Sequence, residues 1–390
     1  MSHKISVSRG QKISTVSNQW ASRSDDQRFT SLSALHAQVN QWAAESFQSV
    51  INPSDVFALY DEAQPDYLAL TIGDAPVSPS NWSFEQIARL ANAPANYLRS
   101  LPGPLAAVNL NYGLRTVEQK QVAAYLRTSE NGGTQVRGIT SPRYGRIYDR
   151  DVVAAVMRVA GDGIGDTRWK VPGTIDWSSK FGISYNPQVN ITKDNTTLYA
   201  SDRDVFLFLV DDYNPIEVGK LPNGDPDLMF RGFYVWNSEV GSKTFGFASM
   251  YLRGVCQNRN LWGVEDFNQI VFKHTSGAPE RFLEQAEPAL LDFANLGESR
   301  LISGVKAAKS AVVAKTDEER IEFLGKFGFT QKAAKNIIDI CEVEEQKAPE
   351  SIWDFAQGVT AMARLEPLQE DRVRLELVGG KILDKVKVAA

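Results

Sequence analysis

Two sets of side chains in this sequence have types and spacings that could do chemistry. The first is acidic. Asp202, Asp204, Asp211 and Asp212 bracket the apolar run Val205-Phe206-Leu207-Phe208-Leu209-Val210. In an extended strand Asp202 and Asp204 alternate onto one face, and convergent carboxylates are what a two-metal nuclease requires. Carboxylates at strand ends also solubilise turns, and that is the preferred reading. The second set is basic and aromatic. Between Gly113 and Arg150, Arg115, Lys120, Arg127, Arg137, Arg143, Arg146 and Arg150 outnumber Glu118, Glu130 and Asp149. Within that stretch Arg143, Tyr144, Arg146, Tyr148 and Arg150 interleave cations with aromatics. Arginine forks onto phosphate and tyrosine stacks on an unpaired base. A second basic stretch holds Arg231, Lys243, Arg253, Arg259, Lys273, His274 and Arg281, with Phe233, Trp236, Phe245, Phe247 and Tyr251 among them. Its aromatics serve equally as the core face of a sheet whose arginines are solvated.

Other chemistries lack their residues. The three histidines, His3, His36 and His274, form no H-E-x-x-H motif, and Cys256 and Cys341 form no C-x-x-C. No phosphate loop or nucleophile elbow occurs. Gly161-Asp162-Gly163-Ile164-Gly165 lacks dinucleotide spacing and follows a helical pattern, so it reads as a connector. A Cys256–His274 nucleophilic pair has only the two residue types in its favour. No cofactor or metal is therefore expected.

The surrounding composition is that of a folded chain. Of 390 residues, 43% are hydrophobic and 23% charged, with a net charge of -5. That balance argues against a blanket binder of nucleic acid and leaves room for a local basic surface. Two cysteines suggest a reducing compartment. No run approaches the roughly 20 apolar residues of a membrane span. These features point to the cytoplasm of a bacterial host cell.

The elements that must position the candidates are read from periodicity and punctuation. Residues 1–30 are a flexible arm, with Lys4, Arg9, Lys12, Arg23 and Arg28 against Asp25 and Asp26. Residues 31–112 form a helical N-terminal region: Leu35, Val39, Trp42, Ala43 and Phe47 recur at helical spacing through Val50, and Asn81 or Ser83 caps a second helix. Residues 113–280 form an α+β core. Its first hairpin pairs Gln121–Arg127 with Gln135–Ile139 around Asn131-Gly132-Gly133, and Asp149 caps the helix that follows. Strands are expected at Ile175–Tyr185, Thr197–Tyr199, Asp204–Val210, Met229–Trp236 and Thr244–Val255, the third buried on both faces. Residues 281–390 form a helical C-terminal region, with a capping box at Thr316–Glu319 and helices after Thr330, Pro349 and Pro367. The expected class is α+β, a mixed, mainly antiparallel sheet with packed helices.

Several elements resemble those of a phage/plasmid-like protein family of unknown function. They are Ser141-Pro142-Arg143-Tyr144-Gly145-Arg146-Ile147, which fits S-x-R-Y-x-x-I; Arg253-Gly254-Val255-Cys256-Gln257-Asn258-Arg259-Asn260-Leu261; Lys273-His274-Thr275; a helical tail from Ser351 to Arg364; and an upstream segment from Phe84 to Leu114. The resemblance spans roughly residues 80–375. It implies carriage on a phage, prophage or plasmid and, by analogy of setting, a role akin to single-strand annealing proteins.

The resulting expectation is a non-enzymatic DNA-metabolism protein that binds or anneals single-stranded DNA. Arg143, Arg146, Arg150, Arg253, Arg259 and Lys273 would contact phosphates, with bases stacked on Tyr144 or Tyr148. Homo-oligomerisation or docking of a host protein would fall to the C-terminal helices. The alternatives are a protein-binding inhibitor of a host defence or restriction system, working through acidic surfaces, and a metal-dependent nuclease using Asp202, Asp204 and Asp211.

Overall fold

The computed structural model describes residues 24–386, apart from 62, 117–119, 129–131, 173–174, 177–183, 186–190, 195, 222–223, 254–258, 261–268, 295–298 and 367–368. Most of the expected arm, and Cys256, thus lie outside the described residues. The architecture is α+β, with two mostly antiparallel sheets, helices packed on them and a helical C-terminal region.

The chain enters through strand β1 (Arg28–Phe29), so the end of the expected arm is ordered into a sheet. Helix α1 (Leu32–Ala44) follows, capped by Ser31, whose hydroxyl accepts from the Ala34 N–H. Four strands then replace the expected helix: β2 (Ser46–Ile51), β3 (Val56–Asp61), β4 (Gln64–Ile72) and β5 (Ala75–Pro79). The helical reading failed because Phe47 and Val50 continue the apolar spacing of α1, yet both are exposed strand residues. The inward-facing residues of this stretch recur with period two: Val56 and Ala58, then Leu68 and Leu70.

Three helices come next, α2 (Asn81–Leu90), α3 (Ala95–Ser100) and α4 (Gly103–Thr116). The cap of α2 is Ser80, which accepts from the Ser83 N–H at 3.1 Å, rather than Asn81 or Ser83. The expected hairpin then appears as β6 (Val122–Thr128) and β7 (Thr134–Thr140). The strand order of this first sheet is β2-β6-β7-β5-β4-β3, with only β5 and β7 parallel. Phe84, Ile87, Leu98, Leu110 and Leu114 from the three helices cover one of its faces.

Helix α5 (Asp149–Ala160) leads to the second sheet. Asp149 is its first helical residue, and the cap position belongs to Tyr148. Strand β8 (Trp169–Lys170) joins this sheet, whereas β9 (Ile175–Asp176) and β10 (Ser184–Tyr185) pair with each other; the remainder of the expected strand between them lies outside the described residues. The rest are β11 (Leu198–Ala200), β12 (Val205–Asp211), β13 (Ile216–Lys220), β14 (Pro226–Asn237), β15 (Phe245–Arg253), β16 (Arg259–Asn260) and β17 (Gln269–Phe272). The central order is β1-β11-β12-β14-β15-β16, with β8 on β12, β13 on β14 and β17 on β15.

Every residue of β12 is buried. Val205, Leu207 and Leu209 join the core under α1 and α5, while Phe206, Phe208 and Val210 join a second cluster with Phe230, Tyr234 and Met250. Phe233, Phe245 and Phe247 belong to the first of these cores, and Tyr251 to the C-terminal one. The aromatics of the second basic stretch are thus mostly core.

The chain closes with α6 (Ala278–Arg281), α7 (Glu287–Ala294), α8 (Ser299–Ser310), α9 (Asp317–Gly325), α10 (Gln331–Glu345), α11 (Ile352–Leu365) and α12 (Gln369–Leu383). The capping box at Thr316 and Glu319 forms as expected, Thr330 caps α10 and Ser351 caps α11. Among the described residues no helix is long and apolar enough to cross a membrane.

The two-faced burial of β12 makes it the least forgiving element. Leu209→Ala, at a fully buried position, is expected to destabilise the chain by about 2–5 kcal/mol, because cavity formation adds to lost transfer energy. Chemical denaturation of the variant beside wild type checks this.

Candidate nucleic-acid interface

The loop Ser141–Tyr148 joins β7 to α5 and holds four of the eight predicted binding residues, Arg143, Tyr144, Arg146 and Tyr148. It opens with a turn in which the Tyr144 N–H donates to the Ser141 carbonyl at 2.9 Å. The loop then meets Lys273-His274-Thr275, which lies between β17 and α6. The Gly145 N–H donates to the His274 carbonyl at 3.1 Å, and His274 Nδ1 lies 3.1 Å from the Gly145 carbonyl. A Cβ at Gly145 would stand 1.8 Å from the Thr275 carbonyl oxygen, so only glycine fits this crossing. The Tyr144 and His274 rings stack with centroids 4.8 Å apart and planes at 20°. The Tyr144 hydroxyl donates to the Ser238 carbonyl at 2.8 Å, in the turn between β14 and β15. Burial, with the Arg146 cation nearby, pushes the His274 imidazole below its ordinary range, and burial raises the Tyr144 phenol. Both rings are therefore neutral at physiological pH.

Beneath the loop lies a buried ionic network centred on Glu239. One of its carboxylate oxygens pairs with the Arg137 guanidinium, and the other accepts the Asp149 N–H at 3.2 Å. Its main-chain carbonyl accepts from Arg146. Arg146 also donates to Gln48 Oε1 at 3.1 Å and lies over the Tyr125 ring at 4.2 Å. Asn237 Nδ2 donates to Asp149 Oδ1 at 2.7 Å and to the Ile147 carbonyl at 2.8 Å. Burial first, and then the Glu239 charge, raise the Asp149 carboxyl well above the carboxylate range. Burial pushes the Tyr125 phenol up to about 12.

The predicted binding residues therefore divide. Arg143 and Lys273 are exposed on the two segments that the Tyr144–His274 stack joins. Tyr148 and Arg150 are half-buried beside them, with the Arg150 guanidinium over the Tyr148 ring at 5.3 Å and 3.5 Å from Asp151. Arg146 is buried and engaged by Glu239, Gln48 and Tyr125, so it is a structural cation rather than a phosphate contact. Arg253 is likewise removed from the set. Its guanidinium pairs with Asp227 at 2.8 Å and with Glu345, which fastens α10 to the second sheet. It also stands at the end of β15 remote from β17, about 26 Å along the strand from Phe245 at roughly 3.3 Å per residue. The Arg259 backbone pairs with Leu252, and its side chain lies outside the described residues. Tyr144 has one face on His274 and its hydroxyl bonded, so it supports the loop instead of offering a free ring.

Other cations reach the same surface. Arg281 donates to Thr275 Oγ1 at 2.8 Å. Arg203 lies over the Trp82 ring at 4.7 Å, and its carbonyl accepts from Ser238 Oγ at 2.6 Å. Lys243 is near too, 3.3 Å from Asp204. Arg281 and Lys243 were visible as basic residues, but nothing in their spacing tied them to Arg143. For Arg281 that link runs through Thr275, and for Lys243 it follows the turn Ser238–Ser242, which reads in the sequence only as a gap between strands.

The acidic set does not converge. Asp204 precedes β12 and Asp211 ends it, about 23 Å apart along the strand. Asp211 is occupied by Arg168 at 2.7 Å and by the Tyr213 N–H and the Asn214 amide. Among the described residues no group of three or more His, Cys, Asp or Glu side chains is placed to hold a metal ion. Comparison with known proteins finds no matching family model, curated protein or solved structure.

The Asp149 carboxyl gives the network a pH signature. Because its folded pKa is raised, the folded chain holds this proton more tightly than the unfolded chain. Stability should therefore fall as pH rises from the ordinary Asp value of about 3.9 toward neutrality. Asp149→Asn keeps an acceptor for Asn237 and removes the ionisation, so its melting temperature should decline less over that window. Parallel melting curves for variant and wild type would show that Asp149 does not carry the effect.

Proposed function

We propose that this chain is a non-enzymatic DNA-metabolism protein of phage or plasmid origin that binds single-stranded DNA on the basic rim around the Tyr144–His274 stack. The supporting observation is the meeting of two segments more than a hundred residues apart, which sets Arg143 and Lys273 on one locked crossing. Arg281, bonded to Thr275, and Arg203, whose carbonyl accepts from Ser238, adjoin the crossing. Arginine and lysine there would engage phosphates, and Tyr148, half-buried under Arg150, would meet a base. The rigidity of the crossing supports this reading, since cations on a pre-ordered backbone lose less entropy on binding. With four cations engaged, affinity should fall steeply with salt, with a log–log slope of about -3 for a single strand.

A different surface favours the protein-binding alternative. Asp317, Glu318, Glu319 and Glu322 on α9, with Glu342 and Glu344 on α10, are all exposed. Such a surface suits a basic protein partner, such as a host nuclease.

Fluorescence anisotropy with a labelled single-stranded oligonucleotide, titrated over a range of salt, distinguishes the two. The DNA reading expects micromolar or tighter binding at low salt, a slope near the value above, and a drop of about 1.4 in its magnitude in Arg143→Ala/Lys273→Ala. Arg253→Ala should leave the slope unchanged. Absence of binding at low salt overturns the DNA reading and leaves the acidic surface as the site to pursue.

A further inference from the structure

Arg203 stands in the turn between β11 and β12, and its main chain is held from both sides. Its N–H donates to Ser201 Oγ at 3.1 Å, and its carbonyl accepts from Ser238 Oγ at 2.6 Å and from Ser242 Oγ at 3.1 Å. Its guanidinium lies over the ring of Trp82 on α2, 4.7 Å from the centroid. That ring is fixed in turn, because Trp82 Nε1 donates to the Val240 carbonyl at 3.0 Å. The buried arginines of this protein turn their guanidinium groups onto acceptors: Arg137 onto Glu239, Arg146 onto the Glu239 carbonyl and Gln48, Arg253 onto Asp227. The Arg203 side chain makes no such bond with any described residue, and its Nε is buried without an acceptor. Asp202, next in the chain, acts on it through space alone, and more strongly on Arg137. A cation fixed in place and left without an acceptor calls for a physical account.

We propose that Arg203 on Trp82 is a base-stacking subsite, through which the nucleic-acid interface selects strands with unpaired bases. The inference rests on the DNA reading above and adds to it the part of the strand that is recognised. Shape is the first support. With its Nε edge buried, the guanidinium keeps its outer edge and its outer face, and both Arg203 and Trp82 are only half-buried. A flat, delocalised cation receives a base on its face as an aromatic ring does. A base there completes three layers, with Arg203 between it and the indole. Place is the second support. Ser238 joins this pair to the crossing, since its carbonyl accepts from the Tyr144 hydroxyl at 2.8 Å and its Oγ donates to the Arg203 carbonyl. A strand whose phosphates meet Arg143 and Lys273 can therefore turn a neighbouring base onto Arg203. The held main chain and the bonded indole set the stack before the strand arrives, which lowers the ordering cost of binding. A duplex keeps its bases paired inside and has none to place there.

Anisotropy titrations of the full chain with two labelled strands of equal length and charge test this, one of deoxyadenosine and one abasic throughout. Wild type should hold the adenine strand about tenfold or more tighter than the abasic strand. Arg203→Lys keeps the charge and removes the planar face. It should leave the salt slope unchanged and shrink that ratio by about fivefold or more, the low end of what one stacked base contributes. Arg203→Ala should shrink the ratio as much and also lower the magnitude of the slope by about 0.7. Melting temperatures of both variants should stay close to wild type, because the bonds that hold the turn at Arg203 are made by its main chain. An adenine strand bound no tighter than the abasic one overturns the proposal and leaves the phosphate contacts standing. So does an Arg203→Lys variant that keeps the full ratio. Absence of binding to both strands overturns the DNA reading itself, and this inference with it.

Discussion

The Glu239 carboxylate is the point on which the two sheets depend. It lies in the turn that ends β14, yet it answers Arg137 from β7 of the other sheet and the first N–H of α5. Its own carbonyl answers Arg146. Isolated in an apolar interior each of these charges would be expensive; together they form a network whose removal at one point would cost about 3–5 kcal/mol by leaving a partner uncompensated. The network is also directional. Arg137 and Arg146 accept few other geometries, so the sheets meet in one relative position and the loop between β7 and α5 is carried to the surface in one conformation.

That loop is therefore an extension of a buried interaction. Arg146 anchors it from within, and Gly145 lets it cross Thr275 at a distance no other residue allows. The Tyr144–His274 stack closes it from outside, with both rings neutral. Arg143 and Lys273 are the fully exposed cations of the two segments that cross here. The interleaving of cations and aromatics that first marks the segment thus has two origins. Arg146 and Tyr144 build the platform, and Arg143 stands on it. The C-terminal helices are fastened by a separate ionic cluster, in which Asp227 takes both Arg253 and Lys309.

The legible parts of the chain are those whose signal is local. The apolar run of β12, the hairpin of β6 and β7 around its glycines, and the capping box at Thr316 each declare themselves within a few residues, and each stands where expected. The strands between Ser46 and Pro79 did not, because α1 ends without a glycine or proline and Phe47 and Val50 prolong its spacing by coincidence. Asp149 shows the same limit in small. An aspartate before an apolar run reads as a cap, yet Glu239 holds its N–H and Asn237 its carboxyl, and both come from the second sheet.

By itself the sequence determined the α+β class, the helical C-terminal region and the presence of two basic stretches, since composition, period and turn residues act over short range. It could not say which arginines are buried. Arg143 and Arg146 are three residues apart and alike in every local respect, and Arg143 and Arg253 both sit in elements that look equally basic. Only the tertiary structure separates them, because burial of a guanidinium is decided by whether a carboxylate or carbonyl from a distant segment arrives to meet it. Glu239 and Gln48 meet Arg146, Asp227 and Glu345 meet Arg253, and Arg143 is left to solvent.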